Sequence, residues 1–302
     1  MQKQKILIVG NGKIGQAIFH LLHSNEANKR HLIEVYDRNR KKNKSGKSLE
    51  DCVLGADFIF LCIPSWVENE VLLKISPRLK KGAVLITLSK GLQIVSRITM
   101  DQLLEKDTPG ASWTLLSGPM FAPEIMENKM SYGVLATKDK KVFKRIFALF
   151  AGGRLKLEYE KRAHGVALVA VLKNVYALFF GMLEGAGERN NSRGFFASRV
   201  IGEMRQIMKI LKSEEKIIFG TAGMGDFIAT INSEHSQNRK VGRKIFERGR
   251  AISKSEGLVS LPSLLKMLGP KAKQLPILYF LQRVISQRRD AKKEMEKFLR
   301  DI

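Results

Sequence analysis

Hydrophobic residues in the first half of the chain fall in short, nearly unbroken runs: Lys5–Val9, Leu32–Tyr36, Asp57–Ile63, Ala83–Leu88, Ser112–Leu116 and Tyr132–Ala136. Runs of this length, separated in several places by helical periodicity such as Ile14–His23, predict a sheet buried on both faces with crossover helices. From about Arg162 the pattern changes to long helical periods, His164–Leu183, Gly194–Leu211 and Leu275–Arg289, broken by glycine-rich joints. The fold class expected is therefore α/β in residues 1–161, followed by an all-helical domain in residues 162–302. Arg38–Lys47 reads as a basic surface loop, and Arg288–Arg300, with both charge signs alternating, as an exposed terminal helix.

Composition adds constraints. With 44% hydrophobic and 27% charged residues the chain is ordinary globular protein, and 302 residues suffice for two domains with real cores. A formal charge of +24 points to anionic partners: phosphates, nucleotides, nucleic acid or acidic lipid. The two cysteines, Cys52 and Cys62, lack metal-like spacing and read as reduced thiols of a cytoplasmic protein. The N-terminus does not fit a secretory signal, because its apolar run is short and glycines follow at once. Val166–Leu183 is membrane-like in composition but carries Lys173 and Asn174 in mid-span, which favours a buried helix with a functional lysine over membrane insertion.

Gly10-Asn11-Gly12-Lys13-Ile14-Gly15 closes a strand and opens a helix. In that setting the first glycine serves the turn, the second lets a pyrophosphate approach, and the third lets helix and strand pack. The diphosphate then meets free N–H groups at the helix N-terminus. This predicts an N-terminal Rossmann domain binding NAD or NADP. Asp37, ending the second strand, would accept ribose hydroxyls and repel a 2′-phosphate, favouring NAD; Arg38 beside it would suit NADP, so both stay open. Pro64, at a strand's carboxyl end, would line the nicotinamide side of the cleft.

Further segments carry a more specific signal: Leu88-Ser-Lys90-Gly91, Ser117-Gly118-Pro-Met-Phe-Ala122, Leu172-Lys173-Asn174, Gly223-Met-Gly225-Asp226 with Thr230 after it, and Ser236-Gln237-Asn238-Arg239. In this order they resemble the NAD(P)-dependent glycerol-3-phosphate dehydrogenase family, the bacterial type in particular. Asn191–Met204, Glu256-Gly257 and Pro276-Ile277 extend the resemblance over nearly the whole chain. It implies hydride transfer between a nicotinamide cofactor and C2 of dihydroxyacetone phosphate or sn-glycerol 3-phosphate, a phosphorylated small substrate bound in an interdomain cleft, and a homodimer. Lys173 is then the acid/base, oriented by Asp226, with Lys90 touching substrate and cofactor. Gly118, Asn174, Thr230, Ser236, Asn238 and Arg239 would bind substrate. Gly10 to Gly15, Asp37, Arg38, Pro64, Lys90, Ala122, Gln237 and Glu256 would bind cofactor. An unperturbed lysine has a pKa of about 10.4, so burial and a nearby cation such as Lys90 would have to lower it for base chemistry. Taken singly the residues have plainer readings: Lys173 as a snorkelling cation, Asp226 as a helix cap, and Arg199 with Glu203 as an i,i+4 pair.

The chain departs from the family in Gln237, where the pattern has an arginine that binds phosphate and approaches the cofactor. A guanidinium grips phosphate in two places and glutamine does not. Arg193, Arg239, Lys240 and Arg243 are the cations that would compensate. Lys13 and Ile14 in the glycine loop and Met120 in the Ser117–Ala122 segment also differ, and the stretch before Asp57 is short. Gln237 raises the alternative of a related dehydrogenase for another small 2-keto or 2-hydroxy substrate. The positive charge raises a nucleic-acid-binding protein, against which no such motif appears, and a catalytically silent cofactor-binding protein is a third reading. No metal cluster is present in the sequence pattern.

Overall fold

The computed structural model describes residues 3–249 and 253–302. The chain forms two compact units, Met1–Lys90 with Ile98–Ala167, and Gly91–Arg97 with Leu168–Ile302.

The first unit is built on seven strands: β1 (Lys5–Val9), β2 (Leu32–Tyr36), β3 (Phe58–Leu61), β4 (Val84–Thr87), β5 (Ser112–Ser117), β6 (Ser131–Ala136) and β7 (Leu155–Glu160). They lie in the order β2-β1-β3-β4-β5-β6-β7, all neighbours parallel except β5 and β6, which are antiparallel. Six helices accompany them: α1 (Lys13–His23), α2 (Leu49–Val53), α3 (Ser65–Ile75), α4 (Met100–Asp107), α5 (Ala122–Met126) and α6 (Lys140–Phe150). The central strands are buried on both faces. Ile6 and Ile8 pack with Ile18, Leu22, Phe60 and Ile146 on one side, and Leu7, Ile59 and Leu85 are equally buried. That is why their sequences are unbroken apolar runs rather than alternating ones.

Strand β7 was not among the runs, because its Leu155, Leu157 and Tyr159 alternate with Lys156, Glu158 and Glu160. An edge strand with one solvated face reads as alternation, not as a block. Chain order reverses around β1, which has β2 on one side and β3 on the other. Such a switch point, at the carboxyl ends of parallel strands, is where open α/β sheets bind ligands.

The second unit consists of α7 (Ala163–Gly185, whose first turn belongs to the sheet unit), α8 (Asn190–Ile210), α9 (Asp226–Asn232), α10 (Gln237–Arg248), α11 (Glu256–Leu268), α12 (Pro276–Leu281) and α13 (Ala291–Arg300). Helix α7 is long and apolar enough to cross a bilayer, yet its apolar window is wholly buried inside the protein, as in a core helix. Other helices come close to its backbone. A Cβ on Gly242 of α10 would lie 2.0 Å from the Leu178 carbonyl oxygen, and one on Gly257 of α11 would lie 2.1 Å from that of Asn174. The sequence expectation of a plain surface helix at Arg288–Arg300 is corrected. Helix α13 buries Ala291 and Met295, and its Phe298 ring sits 5.1–5.9 Å from Phe179, Phe196 and Phe280. Three apolar positions on one face, Ala291, Met295 and Phe298, suffice to dock a helix most of whose other positions are charged.

Candidate active site

The sheet unit carries a glycine loop whose backbone has the form of an anion cradle. Gly10 has φ +101°, and a Cβ there would stand 2.5 Å from the Cys62 carbonyl oxygen. A Cβ on Gly15 would stand 1.8 Å from the Gly10 carbonyl oxygen, so the turn closes only with glycine at both places. Gly12, at the N-cap of α1, has nothing within 4 Å of its missing side chain and no side-chain cap over the helix terminus. The helix N–H groups thus stay available to an anion.

Asp37 is fixed beside the loop: one carboxylate oxygen accepts the Asn11 N–H at 2.7 Å and the other accepts the Asn39 N–H at 2.8 Å. Asn11 in turn donates to the Lys42 carbonyl at 2.7 Å, tying the basic loop to the glycine turn. A cavity of about 380 Å³ is lined by Gly10, Gly12, Asp37, Arg38, Glu50 and Pro64 among others. These residues fit part of a dinucleotide: glycine backbone for the diphosphate and a carboxylate at the strand end for a ribose.

Other candidates in this unit fall elsewhere. Lys13 is exposed, and Ile14 packs against the core beneath α1. Lys90 donates to the Gly118 carbonyl at 3.0 Å, Ala122 opens α5, and Met120 leans on the core. Cys62, buried just past β3, has its thiol pKa pushed far up by burial, and both cysteines are free thiols.

The helical unit carries a cluster made of side chains. Lys173 lies midway along α7 with its Nζ buried, donating to Asp226 Oδ1 at 2.9 Å and Thr230 Oγ1 at 2.8 Å. Asp226 is the first residue of α9, reached through a π-helical turn at Thr221–Gly225; its Oδ1 faces the lysine. Thr230 is one helical turn further along α9 on the same side. The next residue of α7, Asn174, accepts at Oδ1 from Asn238 Nδ2 at 2.9 Å, and Asn238 Oδ1 accepts the Gly257 N–H at 2.9 Å. The close glycine contact of α11 thus sets the asparagine pair beside the lysine. Ser236 caps α10 by accepting the Arg239 N–H at 3.3 Å, and Glu256 opens α11.

The cations near Gln237 are differently committed. Gln237 is exposed and donates to Ser253 Oγ at 3.2 Å. Arg239 pairs with Glu184 at 3.0 Å, and Arg243 pairs with Glu184 at 3.2 Å and Glu247 at 2.7 Å. Lys240 is exposed. Arg193 donates to the Ile231 carbonyl and to Asn232 Oδ1, and its guanidinium lies 5.9 Å from the Phe180 ring.

The expected Arg199–Glu203 pair does not form. Arg199 lies over the Phe195 ring at 5.0 Å. Glu203 is buried, accepting from Tyr176 Oη at 2.7 Å and from the backbone N–H groups of Ile277 and Leu278 at 2.6 and 3.1 Å. Burial raises its pKa, against the lowering effect of those three donors. Its role at the start of α12 was missed, although its place on one helical face with Val200, Met204 and Ile207 signals burial.

Sequence models of the NAD-dependent glycerol-3-phosphate dehydrogenase family match the chain in two consecutive parts, the N-terminus over residues 5–143 and the C-terminus over residues 163–296. A glycerol-3-phosphate dehydrogenase (NAD(P)+) of Teredinibacter turnerae is 28% identical over 275 residues, covering 85% of this chain and 79% of its own. One from Pseudomonas fluorescens is 27% identical over 99% of this chain and 95% of its own. The crystal structure of a Coxiella burnetii glycerol-3-phosphate dehydrogenase superposes with a TM-score of 0.87 at 20% identity, over 98% of this chain and 99% of that one, a likeness of fold. With both halves matched in order, and the glycine cradle and lysine cluster lying inside the matched segments, the chain belongs to the NAD-dependent glycerol-3-phosphate dehydrogenase family.

Proposed function

We propose that the protein reduces dihydroxyacetone phosphate to sn-glycerol 3-phosphate, and catalyses the reverse, with NAD or NADP as hydride carrier. The family assignment does not favour the alternatives raised by the net charge and by Gln237. The observation that carries the reading is the buried Lys173 Nζ, held on two sides by Asp226 and Thr230.

The nicotinamide, when bound, supplies or accepts the hydride at C2 of the substrate. Lys173 holds the proton that the C2 oxygen gains as the ketone becomes an alcohol, and takes it back in the reverse direction. Asp226 and Thr230 accept from the same Nζ, so they fix the position of the ammonium. Proton transfer by a group so placed contributes roughly 10²–10⁴-fold to the rate. The paired amides of Asn174 and Asn238 border the lysine and position substrate oxygens. Gly118, Lys90, Ser236 and Arg239 are further substrate residues on this reading, and Ala122, Gln237 and Glu256 border the cofactor.

Residues 1–161 act as the cofactor-binding domain and residues 162–302 as the substrate and acid/base domain. NAD is favoured over NADP, because the Asp37 carboxylate is pinned at the ribose end of the cradle by two backbone donors and would oppose a 2′-phosphate. The product would feed glycerophospholipid synthesis, in a cytoplasmic homodimer. The test follows reduced-nicotinamide absorbance with dihydroxyacetone phosphate and either NADH or NADPH. Turnover faster with NADH supports the full reading, turnover faster with NADPH overturns the part assigned to Asp37, and no turnover with bound cofactor overturns the substrate.

A further inference from the structure

A phosphomonoester substrate carries up to two negative charges, and its binding calls for cationic donors near the reacting centre. Position 237 supplies only an exposed, neutral amide. In the helical unit the Thr230 hydroxyl accepts from Lys173.

Cations gather on the residue that follows it. The Ile231 carbonyl accepts from two guanidinium groups, Arg193 Nη2 and Arg239 Nη1, the latter at 3.2 Å. A cation at a helix C-terminus is ordinary, since the last carbonyls of α9 have no helical partners. Two cations on one carbonyl is not ordinary. Arg239 has Glu184 as its counter-ion, and Arg243 shares Glu184 and has Glu247 as well. Among the described residues, Arg193 has no carboxylate partner, and its Nε and Nη1 have no hydrogen-bond acceptor. The three arginines and two glutamates leave one positive charge over, and it sits on Arg193. Burial, and then the Arg239 charge, press the Arg193 guanidinium below its ordinary pKa, against the raising effect of Glu184. The Phe180 ring beneath it and Asn232 beside it hold the fork in place.

We propose that Arg193, backed by Arg239, is the phosphate-binding residue of this chain and sets its preference for a phosphorylated substrate. This rests on the reading of the site given above and names the group within it that recognises the phosphate. Arg193 keeps Nε and Nη1 as donors on separate edges of its guanidinium, so it meets an anion through its charge and through single N–H···O bonds.

The experiment is calorimetric binding of glycerol 3-phosphate and of inorganic phosphate to the full chain, for the wild type, Arg193→Gln, and Arg193→Gln combined with Gln237→Arg. Each protein's thermal midpoint is measured alongside. Losing one charge-assisted contact should weaken glycerol 3-phosphate binding about 10- to 100-fold. A loss with the midpoint unchanged, or a loss that arginine at 237 restores, supports the assignment. Unchanged affinity overturns it, as does a loss that comes with a lower midpoint and is not restored. A wild type that binds phosphate through Arg193 but does not oxidise NADH with dihydroxyacetone phosphate would sink the reaction while leaving the phosphate site standing.

Discussion

The two units build their sites from different materials. In the sheet unit the loop is mostly backbone: a glycine at φ +101° and a helix terminus without a side-chain cap, with one carboxylate, Asp37, pinned by two N–H groups. In the helical unit the cluster is side chain: an ammonium, a carboxylate and a hydroxyl brought together from residues 53 and 57 positions apart. A backbone site tolerates little added volume and is indifferent to most charge changes. A side-chain site has the opposite sensitivities, and that contrast can be tested.

The largest stability effect is expected from Asp226→Ala, which leaves Lys173 buried without its counter-charge. Breaking such a pair costs on the order of 3–5 kcal/mol while the lysine stays charged, readable as a lower urea midpoint. Next is Gly15→Ala, whose methyl would meet the Gly10 carbonyl oxygen at 1.8 Å. Overpacking of this kind costs roughly 1–3 kcal/mol, and here it should be accompanied by weaker dinucleotide binding, measured by fluorescence of bound NADH. Asp226→Ala should leave dinucleotide binding to the sheet unit intact, and equal loss in both variants would break the contrast.

Thr230→Val removes one acceptor from the lysine at nearly constant volume and should cost about 1 kcal/mol, again by denaturant. The smallest effect is a slope. Glu203 has its pKa raised on folding, so the folded chain holds that proton to higher pH than the unfolded chain does. Its contribution is full below the ordinary carboxylate pKa of 4.5 and is lost as pH rises through the raised value. Denaturation of Glu203→Gln across pH 4–7, about the carboxylate range, should lack that falling component.

These sensitivities also explain what could be read before folding. The glycine spacing and the buried runs of β1, β3 and β4 were legible because backbone geometry and two-sided burial each leave a local pattern. Lys173 was legible as a cation in an apolar helix, but its pairing with Asp226 was legible only through the resemblance of their short motifs to a family. The pairing carries no local signal, since it depends on how α7 and α9 cross. The π-helical turn before Asp226 and the close approaches at Gly242 and Gly257 that arrange these helices have no periodic signature. Arg199 and Glu203 show the cost of reading spacing alone: four residues apart on α8, they face an aromatic ring and the N-terminus of α12. Strand β7 was lost because it alternates instead of forming an unbroken apolar run, and the docking of α13 because its four apolar residues sit among six charged ones.

The central claim is that Lys173 moves the proton while the sheet unit independently holds the dinucleotide. Lys173→Ala, assayed with dihydroxyacetone phosphate and NADH beside a binding titration for NADH, tests it directly. The account predicts a turnover about 10²–10⁴-fold lower with NADH affinity unchanged. Turnover within tenfold of the wild type, or NADH binding lost together with activity, would contradict it.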